Sequence, residues 1–321
     1  MNSKTKIFSI LVTLAAVFTP FPTSAQWVSG LQGASGSTVG PDGYIYVTEG
    51  AIGQISRVDP QTGDVSVFAS GLPHQIIPLG GVMDVAFLDG TAYALVTLVG
   101  PDVGGTDIVG IYRIDGPSSY TVIADIGTFA MNNPPLTDFF VPTGVQYALE
   151  PYRGGFLVTD GHHNRVLNIR LDGDISEFQV FENIVPTGLE VHGKTVYMAE
   201  AGPTPHLPED GKIVAIDSKS LDVTQVASGG RLLVDVEYGL GQTLYALAQG
   251  VWDGLAAGSS ALPYTGELLR VNADGTFNVV ASEVNLPTSM EFIGNTAYVV
   301  SLAGDIYKYD DVSSPPFGKT K

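Results

Sequence analysis

The chain has 321 residues, of which 44% are hydrophobic and only 15% charged, and its formal net charge is −18. So acidic a chain is a poor partner for nucleic acid or for anionic lipid. Cysteine is absent, which excludes disulfides, thiolate chemistry and cysteine-ligated metals.

The first 25 residues are predicted to be a secretory signal peptide. Lys4 and Lys6 precede an apolar run over residues 7–18, and the segment TPFPTSA leads to a cleavage site after Ala25. The apolar run is too short for an ordinary membrane span, and no cysteine follows it that could carry a lipid anchor. We therefore expect a secreted or periplasmic protein whose mature chain does not insert into a membrane.

A phrase that begins with glycine and continues into an apolar strand recurs six times in the rest of the chain. Its copies are GYIYVTE (43–49), GTAYALV (90–96), GFLVTD (155–160), GKTVYMAE (193–200), GQTLYALA (241–248) and GNTAYVVS (294–301). Five copies continue through a hairpin whose turn is rich in Asp, Gly, Ser or Asn. Repeats of this length, with four short strands each, predict an all-β fold, a six-bladed β-propeller.

The sixth copy is incomplete, because it stops after GDIYKYDD (304–311) with only three strands. The segment QWVSGLQG, which follows the predicted cleavage site, is the spare strand. We expect the mature N-terminal strand to close the last blade, which would also remove an exposed sheet edge. The propeller is then predicted to span residues 26–312, with a disordered C-terminal tail over residues 313–321.

The innermost strand of each blade is predicted to turn polar side chains toward the central channel. In blades 2 to 6 these strands are predicted to be MDVAF (83–87), TGVQY (143–147), TGLEV (187–191), VDVEY (234–238) and TSMEF (288–292). Successive side chains of a strand point to opposite faces. The apolar set, which includes Tyr147, is expected to pack between blades. The channel set is Asp84, Gln146, Glu190, Asp235, Glu237 and Glu291.

A second set of acids, Glu49, Asp160 and Glu200, ends the second strand of three blades. Crowded carboxylates repel each other unless they are protonated, hydrogen-bonded or bridged by a cation. The acids of both sets are therefore candidate ligands of a divalent cation, Ca²⁺ or, with a histidine added, a transition metal. The alternative is that they accept hydrogen bonds or line a hydrated channel and bind no ion.

The longest loops are predicted to gather on one face of the ring, where propellers usually hold a ligand. They cover residues 97–109, 201–210 and 249–265, together with the connections 73–81 and 127–141. The candidate ligand-binding residues are His74, Asp138, His162, His163, His206 and Trp252. The alternative for His162 and His163 is an ordinary surface position, since they lack metal-ligand spacing. The expected partner is a small molecule that is neutral or aromatic.

Several catalytic signatures are missing from the sequence. It contains no G-x-S-x-G elbow, no H-E-x-x-H pair, no P-loop and no dinucleotide or flavin fingerprint. A serine hydrolase and a nucleotide-dependent enzyme are therefore not expected.

Two resemblances concern longer stretches of the chain. The segment TDGHHNRVLNIRLDG resembles an NHL-type repeat through Asp160, Asn164 and Arg165. Over nearly the whole chain, GPDGYIYVTEGAIGQISRVDPQTGDVSVFASGLP, PTGLEVHGKTVYMAEAG and GELLRVNADGTFNVVASEVNLPTSMEF resemble the ScyD/ScyE family of exported propellers. That resemblance implies a periplasmic role in the maturation, by oxidative coupling, of an indole-phenol small molecule such as the scytonemin monomer. It implies no particular catalytic residues.

Three functions remain open from the sequence. Oxidative coupling would require a bound redox metal. A calcium-dependent lactonase of similar architecture would use the ion to polarise a carbonyl, but such sites generally include asparagine ligands, which the predicted inner strands lack. A non-catalytic propeller that binds a small molecule or a protein is equally compatible with the fold.

Overall fold

The computed structural model describes residues 25–206, 209–255 and 258–312. Over these residues the chain forms six four-stranded antiparallel sheets, which are the blades of a β-propeller. The predicted signal peptide, apart from Ala25, and the predicted tail over residues 313–321 lie outside the described residues. None of the helices in the described part of the chain is long and apolar enough to cross a membrane.

The strands follow one another in a simple order, from the channel outward in each blade. Blade 1 consists of β2 (Ala34–Val39), β3 (Ile45–Glu49), β4 (Gln54–Val58) and β5 (Val65–Ser70), and blade 2 of β6 (Gly81–Leu88), β7 (Thr91–Thr97), β8 (Gly110–Gly116) and β9 (Ser119–Asp125). Blade 3 consists of β10 (Gln146–Tyr152), β11 (Gly155–Asp160), β12 (Arg165–Arg170) and β13 (Ile175–Val180), and blade 4 of β14 (Pro186–His192), β15 (Thr195–Glu200), β16 (Gly211–Asp217) and β17 (Val223–Gly230). Blade 5 consists of β18 (Leu233–Gly239), β19 (Thr243–Ala248), β20 (Gly266–Val271) and β21 (Phe277–Val284), and blade 6 of β22 (Pro287–Ile293), β23 (Thr296–Ser301) and β24 (Ile306–Tyr309), with the closing strand β1 (Ala25–Val28) outermost.

Three short helices lie in the connections within the described ranges. They are α1 (Ile126–Asn132) and two single-turn 3₁₀ helices, Pro101–Val103 and Gly161–His163. Helix α1 was not predicted, and it occupies a segment expected to be a connection without secondary structure. Its start is fixed by Asp125, whose carboxylate accepts a hydrogen bond from the Thr128 backbone N–H at 2.8 Å.

The closure of the ring confirms the predicted role of the N-terminal strand. β1 pairs antiparallel with β24, with Gln26 opposite Tyr307 and Ala25 opposite Lys308. The Trp27 ring contacts the Tyr298 ring with 5.2 Å between centroids, and the neighbouring Val28 is buried. One sheet thereby joins the first described strand, β1, to the last, β24, so that blade 6 has four strands like the other blades.

The core lies between the blades. A typical contact joins blades 1 and 2, where the Tyr46 ring packs edge-on against Phe87 at 4.7 Å and against Phe68 at 4.8 Å. Aromatic pairs of this geometry contribute about 0.5–1.5 kcal/mol beyond the burial of their area. Each blade buries its apolar face against its neighbour, which fixes the radius of the ring and of its channel.

The inner strand of blade 3 differs from the prediction. It was predicted over residues 143–147, but β10 begins at Gln146, and residues 143 and 144 belong to the preceding turn, in which the Gly144 N–H bonds the Val141 carbonyl. Glu150 pairs with Leu157 as Glu190 pairs with Tyr197 in blade 4. Glu150 therefore takes the channel position that the sequence had assigned to Gln146.

Candidate functional site

A cavity of about 540 Å³ opens on the loop face and continues into the channel. Its walls come from the starts of the inner strands and from the loops that cross this face. The apolar side chains in the lining include Ile77, Leu79, Met83, Leu98, Phe140, Val141, Val145, Val185, Leu232, Val234 and Leu302. Polar groups between them come mainly from Ser35, Thr187, Gln249, Ser259, Ser260 and Thr288. Such a space has the size and lining of a small-molecule site.

The mouth of the cavity exposes large apolar side chains. Phe140 is 53% exposed and Ile77 is 37% exposed, and both also line the cavity. Their neighbours Phe139 and Ile76 are exposed as well. An apolar surface of this kind, continuous with a concave site, is characteristic of ligand-binding grooves.

His162 and Tyr147 form one hydrogen-bonded pair in the cavity wall. His162 Nε2 lies 3.1 Å from Tyr147 Oη, and the His162 ring packs edge-on against Phe140 at 4.8 Å. Burial, followed by the nearby His206, lowers the pKa of His162 to about 4. Burial also raises the pKa of Tyr147. At neutral pH both groups are therefore uncharged.

His206 is the second imidazole of the lining. It is only 7% exposed and its ring packs edge-on against Trp252, with 5.6 Å between centroids. The indole is held in turn by a 2.8 Å hydrogen bond from Trp252 Nε1 to Ser259 Oγ. Burial lowers the pKa of His206, which the Gly202 backbone offsets only in part. His206 is thus a neutral, immobilised imidazole.

Four carboxyl groups lie where the cavity meets the channel: Asp84, Glu150, Asp235 and Glu291. Glu190 and Glu237 lie next to them and share a hydrogen bond. Burial raises the pKa of each of these groups, and for Asp235 it does so to about 7. Repulsion between the acids raises these pKa values further, because Asp235 disfavours the charged form of Asp84 and Glu291 disfavours that of Glu237.

The acids of the second predicted set are engaged separately. Glu49 accepts hydrogen bonds from the Gln32 backbone N–H at 2.7 Å and from Gln54 Nε2 at 3.0 Å. Glu200 is buried, and its pKa is raised to about 7, with Lys212 opposing the shift. Neither residue lines the cavity.

Asp160, a predicted metal ligand, and His163, a predicted ligand-binding residue, belong to a buried network of blade 3. Asp160 Oδ2 lies 2.9 Å from Arg165 Nε and 3.1 Å from His163 Nδ1. His163 Nε2 lies 2.9 Å from the Val141 carbonyl oxygen, and Arg165 Nη1 donates to the Asn133 carbonyl at 2.7 Å. These contacts hold the 133–145 segment beside the cavity, so the two residues position the wall and do not face a ligand.

The remaining predicted residues divide in the same way. Trp252 supports His206 from behind, whereas His74 and Asp138 are exposed and do not line the cavity. The structure thus brings His162 and His206 together with four channel carboxyls. Two further residues line the cavity that were not predicted there: Tyr147, which was expected to pack between blades, and Glu150. The sequence signal that could have identified Glu150 is the pair LE at 149–150, which matches the pair LE at 189–190 in blade 4.

Among the residues that the structure describes, no three His, Asp or Glu side chains are grouped so that they could hold a metal ion. Asp84, Glu150 and Asp235 direct oxygens at backbone N–H groups instead, as Asp84 does to Leu149 at 2.7 Å. The donors of the described residues therefore do not form a metal-binding group as they are arranged.

Comparisons with known proteins support the fold. No protein-family model matches the chain, and no curated protein does. Among solved structures, a gluconolactonase from Xanthomonas campestris is 11% identical with a TM-score of 0.60, each chain being covered to 92%.

Two other solved structures are of proteins named for different activities. A PQQ-bound aldose sugar dehydrogenase from Streptomyces coelicolor is 13% identical, with a TM-score of 0.56 and coverage of 88% of this chain and 96% of that one. Virginiamycin B lyase from Staphylococcus aureus, with quinupristin, is 15% identical, with a TM-score of 0.53 and coverage of 89% and 97%. At these sequence identities the structural similarity shows that the chain has the six-bladed propeller fold, and it carries no information about activity.

Proposed function

We propose that this propeller binds an uncharged, largely apolar or aromatic small molecule in its loop-face cavity. The observation that carries the proposal is the combination of apolar walls with two neutral imidazoles, His162 and His206, in a cavity of about 540 Å³. A charged ligand would lose its hydration there without finding an opposite charge to replace it. An apolar body gains about 25 cal/mol for each Å² removed from water.

The acidic chain supports the same choice of ligand. Its formal charge of −18 disfavours anions throughout the approach to the cavity. Burial raises the pKa of the carboxyls at the floor, which favours their protonated form, a hydrogen-bond donor, over a negative charge. The mouth residues Phe140 and Ile77 extend the apolar contact surface outward.

The test is binding of N-phenyl-1-naphthylamine, an uncharged fluorescent probe, to the purified protein. We expect saturable binding that weakens about tenfold or more in Ala148→Phe, because Ala148 lines the cavity and the added ring fills it. The matched control, Ser282→Phe, adds the same ring at an exposed position of β21 and should leave binding unchanged. Equal binding by both variants, each with an unchanged melting temperature, would refute the proposal.

A catalytic form of this proposal follows from the ScyD/ScyE resemblance. We propose as a second possibility that the bound molecule is an indole-phenol and that the exported protein promotes its oxidative coupling. The reaction removes electrons from the aromatic ligand, so it needs an oxidant from outside the described residues. Metal analysis of the purified protein, combined with product analysis under air, tests it: stoichiometric Cu, Fe or Mn and dimeric product support coupling.

A lactonase-like hydrolase is a third proposal, which rests on the gluconolactonase among the structures with this fold. The described residues offer Tyr147 and His162 as neutral hydrogen-bonding groups near a bound ester, but no grouped metal ligands. A panel of apolar lactones assayed in saturating Ca²⁺ tests it. Turnover that Ala148→Phe abolishes supports the hydrolase, whereas tight binding without turnover leaves the binding function.

A further inference from the structure

Glu291 is the carboxyl group at the cavity floor that the described residues leave without a hydrogen-bond partner. Both oxygens of Asp84 and both of Asp235 accept hydrogen bonds from backbone N–H groups. Glu150 accepts one from the Val191 N–H at 3.2 Å. Glu291 lines the same cavity, yet within the described part of the chain it makes no hydrogen bond and no ion pair. Polar groups in apolar surroundings are nearly always paired, so its partner must come from a molecule in the cavity.

The Glu291 carboxyl is accessible from the cavity. The side chain is half-buried, and neither of its carboxyl oxygens is fully enclosed by protein. Met290, the preceding residue of β22, is buried in the core, so the alternation of the strand turns Glu291 toward the channel. The Met290 N–H donates to Asp235 at 2.7 Å, which fixes this part of β22 before a ligand arrives. The protein therefore presents an accessible carboxyl group on a fixed strand, as selective recognition requires.

The chemistry of the carboxyl group limits what it can bind. Burial raises the pKa of Glu291 well above its usual range, and the neighbouring acids, first Asp235 and then Asp84, raise it further. A protonated carboxyl has one O–H donor and an acceptor oxygen, whereas an ionised one only accepts. Glu291 therefore accepts a hydrogen bond in both forms. A hydroxyl group fits both, because it donates and can also accept, whereas an anionic group would be repelled by the surrounding acids.

We propose that Glu291 is the polar anchor of the cavity and that it accepts a hydrogen bond from a hydroxyl group carried by an otherwise apolar ligand. This inference rests on the proposed function and narrows it from apolar molecules in general to hydroxylated ones. A ligand that cannot donate leaves the carboxyl without its partner, so the site discriminates against it. Glu291 is accordingly a specificity residue, whereas Phe140, Ile77 and Val145 supply contact area.

The experiment compares four ligands with the same ring system: naphthalene, 2-methoxynaphthalene, 2-naphthol and 2-naphthylmethylamine, which is a cation at neutral pH. Their affinities are measured by displacement of the fluorescent probe from the wild type and from Glu291→Leu, Glu291→Gln and Glu182→Leu, the last at an exposed position. We expect the wild type to bind 2-naphthol about tenfold more tightly than the methoxy compound. The preference should vanish in Glu291→Leu, which still binds naphthalene. It should persist in Glu291→Gln, whose amide oxygen also accepts, and in Glu182→Leu.

The outcomes separate this inference from the proposed function. If 2-naphthol and the methoxy compound bind the wild type equally, or if the naphthol preference survives in Glu291→Leu, the inference is wrong while the cavity still binds apolar molecules. If the amine binds most tightly, the floor acids hold a cation, which overturns both the inference and the uncharged ligand of the proposed function. If none of the ligands binds, the proposed function fails as well. Glu291→Ala, which adds no bulk and must also lose the preference, keeps the test decisive if the leucine variant does not fold.

Discussion

Asp84 and Asp235 occupy equivalent places three blades apart, and each fastens its own blade to the next. Asp84 accepts hydrogen bonds from the backbone N–H of Val85 at 2.8 Å and of Leu149 in blade 3 at 2.7 Å. Asp235 accepts them from Val236 at 2.9 Å and from Met290 in blade 6 at 2.7 Å. Two of the predicted metal ligands thus link neighbouring blades through hydrogen bonds to the backbone.

Removing either carboxylate should destabilise the fold. In Asp84→Ala two backbone N–H groups beside the channel lose their acceptor, which costs about 1–3 kcal/mol. Asp235→Ala should behave alike, and Asp138→Ala, at an exposed position, should stay within about 0.5 kcal/mol of the wild type. Urea unfolding measures all three. A change of less than about 0.5 kcal/mol in Asp84→Ala would mean that water replaces the carboxylate without loss.

The glycine behind Asp84 is required by the same close approach. A Cβ at Gly36 would lie 2.2 Å from Asp84 Oδ1 and 2.6 Å from the Met83 carbonyl oxygen. Gly36→Ala should therefore force blades 1 and 2 apart and cost about 1–3 kcal/mol. Gly116→Ala is the control, because its Cβ would meet only the mobile Ser119 hydroxyl at 3.0 Å. Equal melting temperatures of the two variants would contradict this reading.

The Asp160–Arg165 pair should contribute more than any exposed pair. Both side chains are essentially inaccessible, so Arg165→Ala leaves a buried carboxylate and should cost about 3–5 kcal/mol. Arg170→Ala in the same blade removes an exposed pair with Asp172 and should cost less than about 1 kcal/mol. Hydrogen exchange in residues 133–145 should also rise in Arg165→Ala alone. Comparable stability of the two variants would exclude the positioning role.

The blades could be predicted from the sequence because each repeat is a local pattern of strands and turns. The error in blade 3 arose because TG at 143–144 imitates the TG that opens the inner strand of blade 4, whereas in blade 3 it forms a turn. Of the residues predicted on the loop face, His162 and His206 line the same cavity. Asp160 and His163 do not line the cavity because they belong to the buried network around Arg165. Arg165 contacts them only when β11 and β12 are paired, which the local sequence pattern does not reveal. The signal peptide, cation and partner remain predictions.

The channel acids should make the fold less stable as the pH rises. Burial raises the pKa of Glu237 and Glu291, and that of Asp235 to about 7. An acid that holds its proton more tightly when folded stabilises the fold fully below its unfolded pKa, near 4, and loses that contribution as the pH rises through its folded value. His162 has the opposite effect on the free energy of unfolding, because its stabilising contribution is present above about pH 6.5 and is lost as the pH falls toward 4.

The acids outnumber the histidines, so the melting temperature should fall between pH 5 and pH 8. The double variant Glu237→Gln/Glu291→Gln cannot ionise at these positions and should show a flatter dependence. Glu182→Gln, at an exposed position, should keep the wild-type slope. A melting temperature that rises over this range in the wild type, or an unchanged slope in the double variant, would contradict the assignment.

The most direct test of the central claim is a crystal structure of the protein with bound 2-naphthol. We predict that the naphthol ring lies between the apolar walls near Phe140 and Val145. A ligand bound outside this cavity, or a cavity filled with ordered water at saturating naphthol, would contradict it.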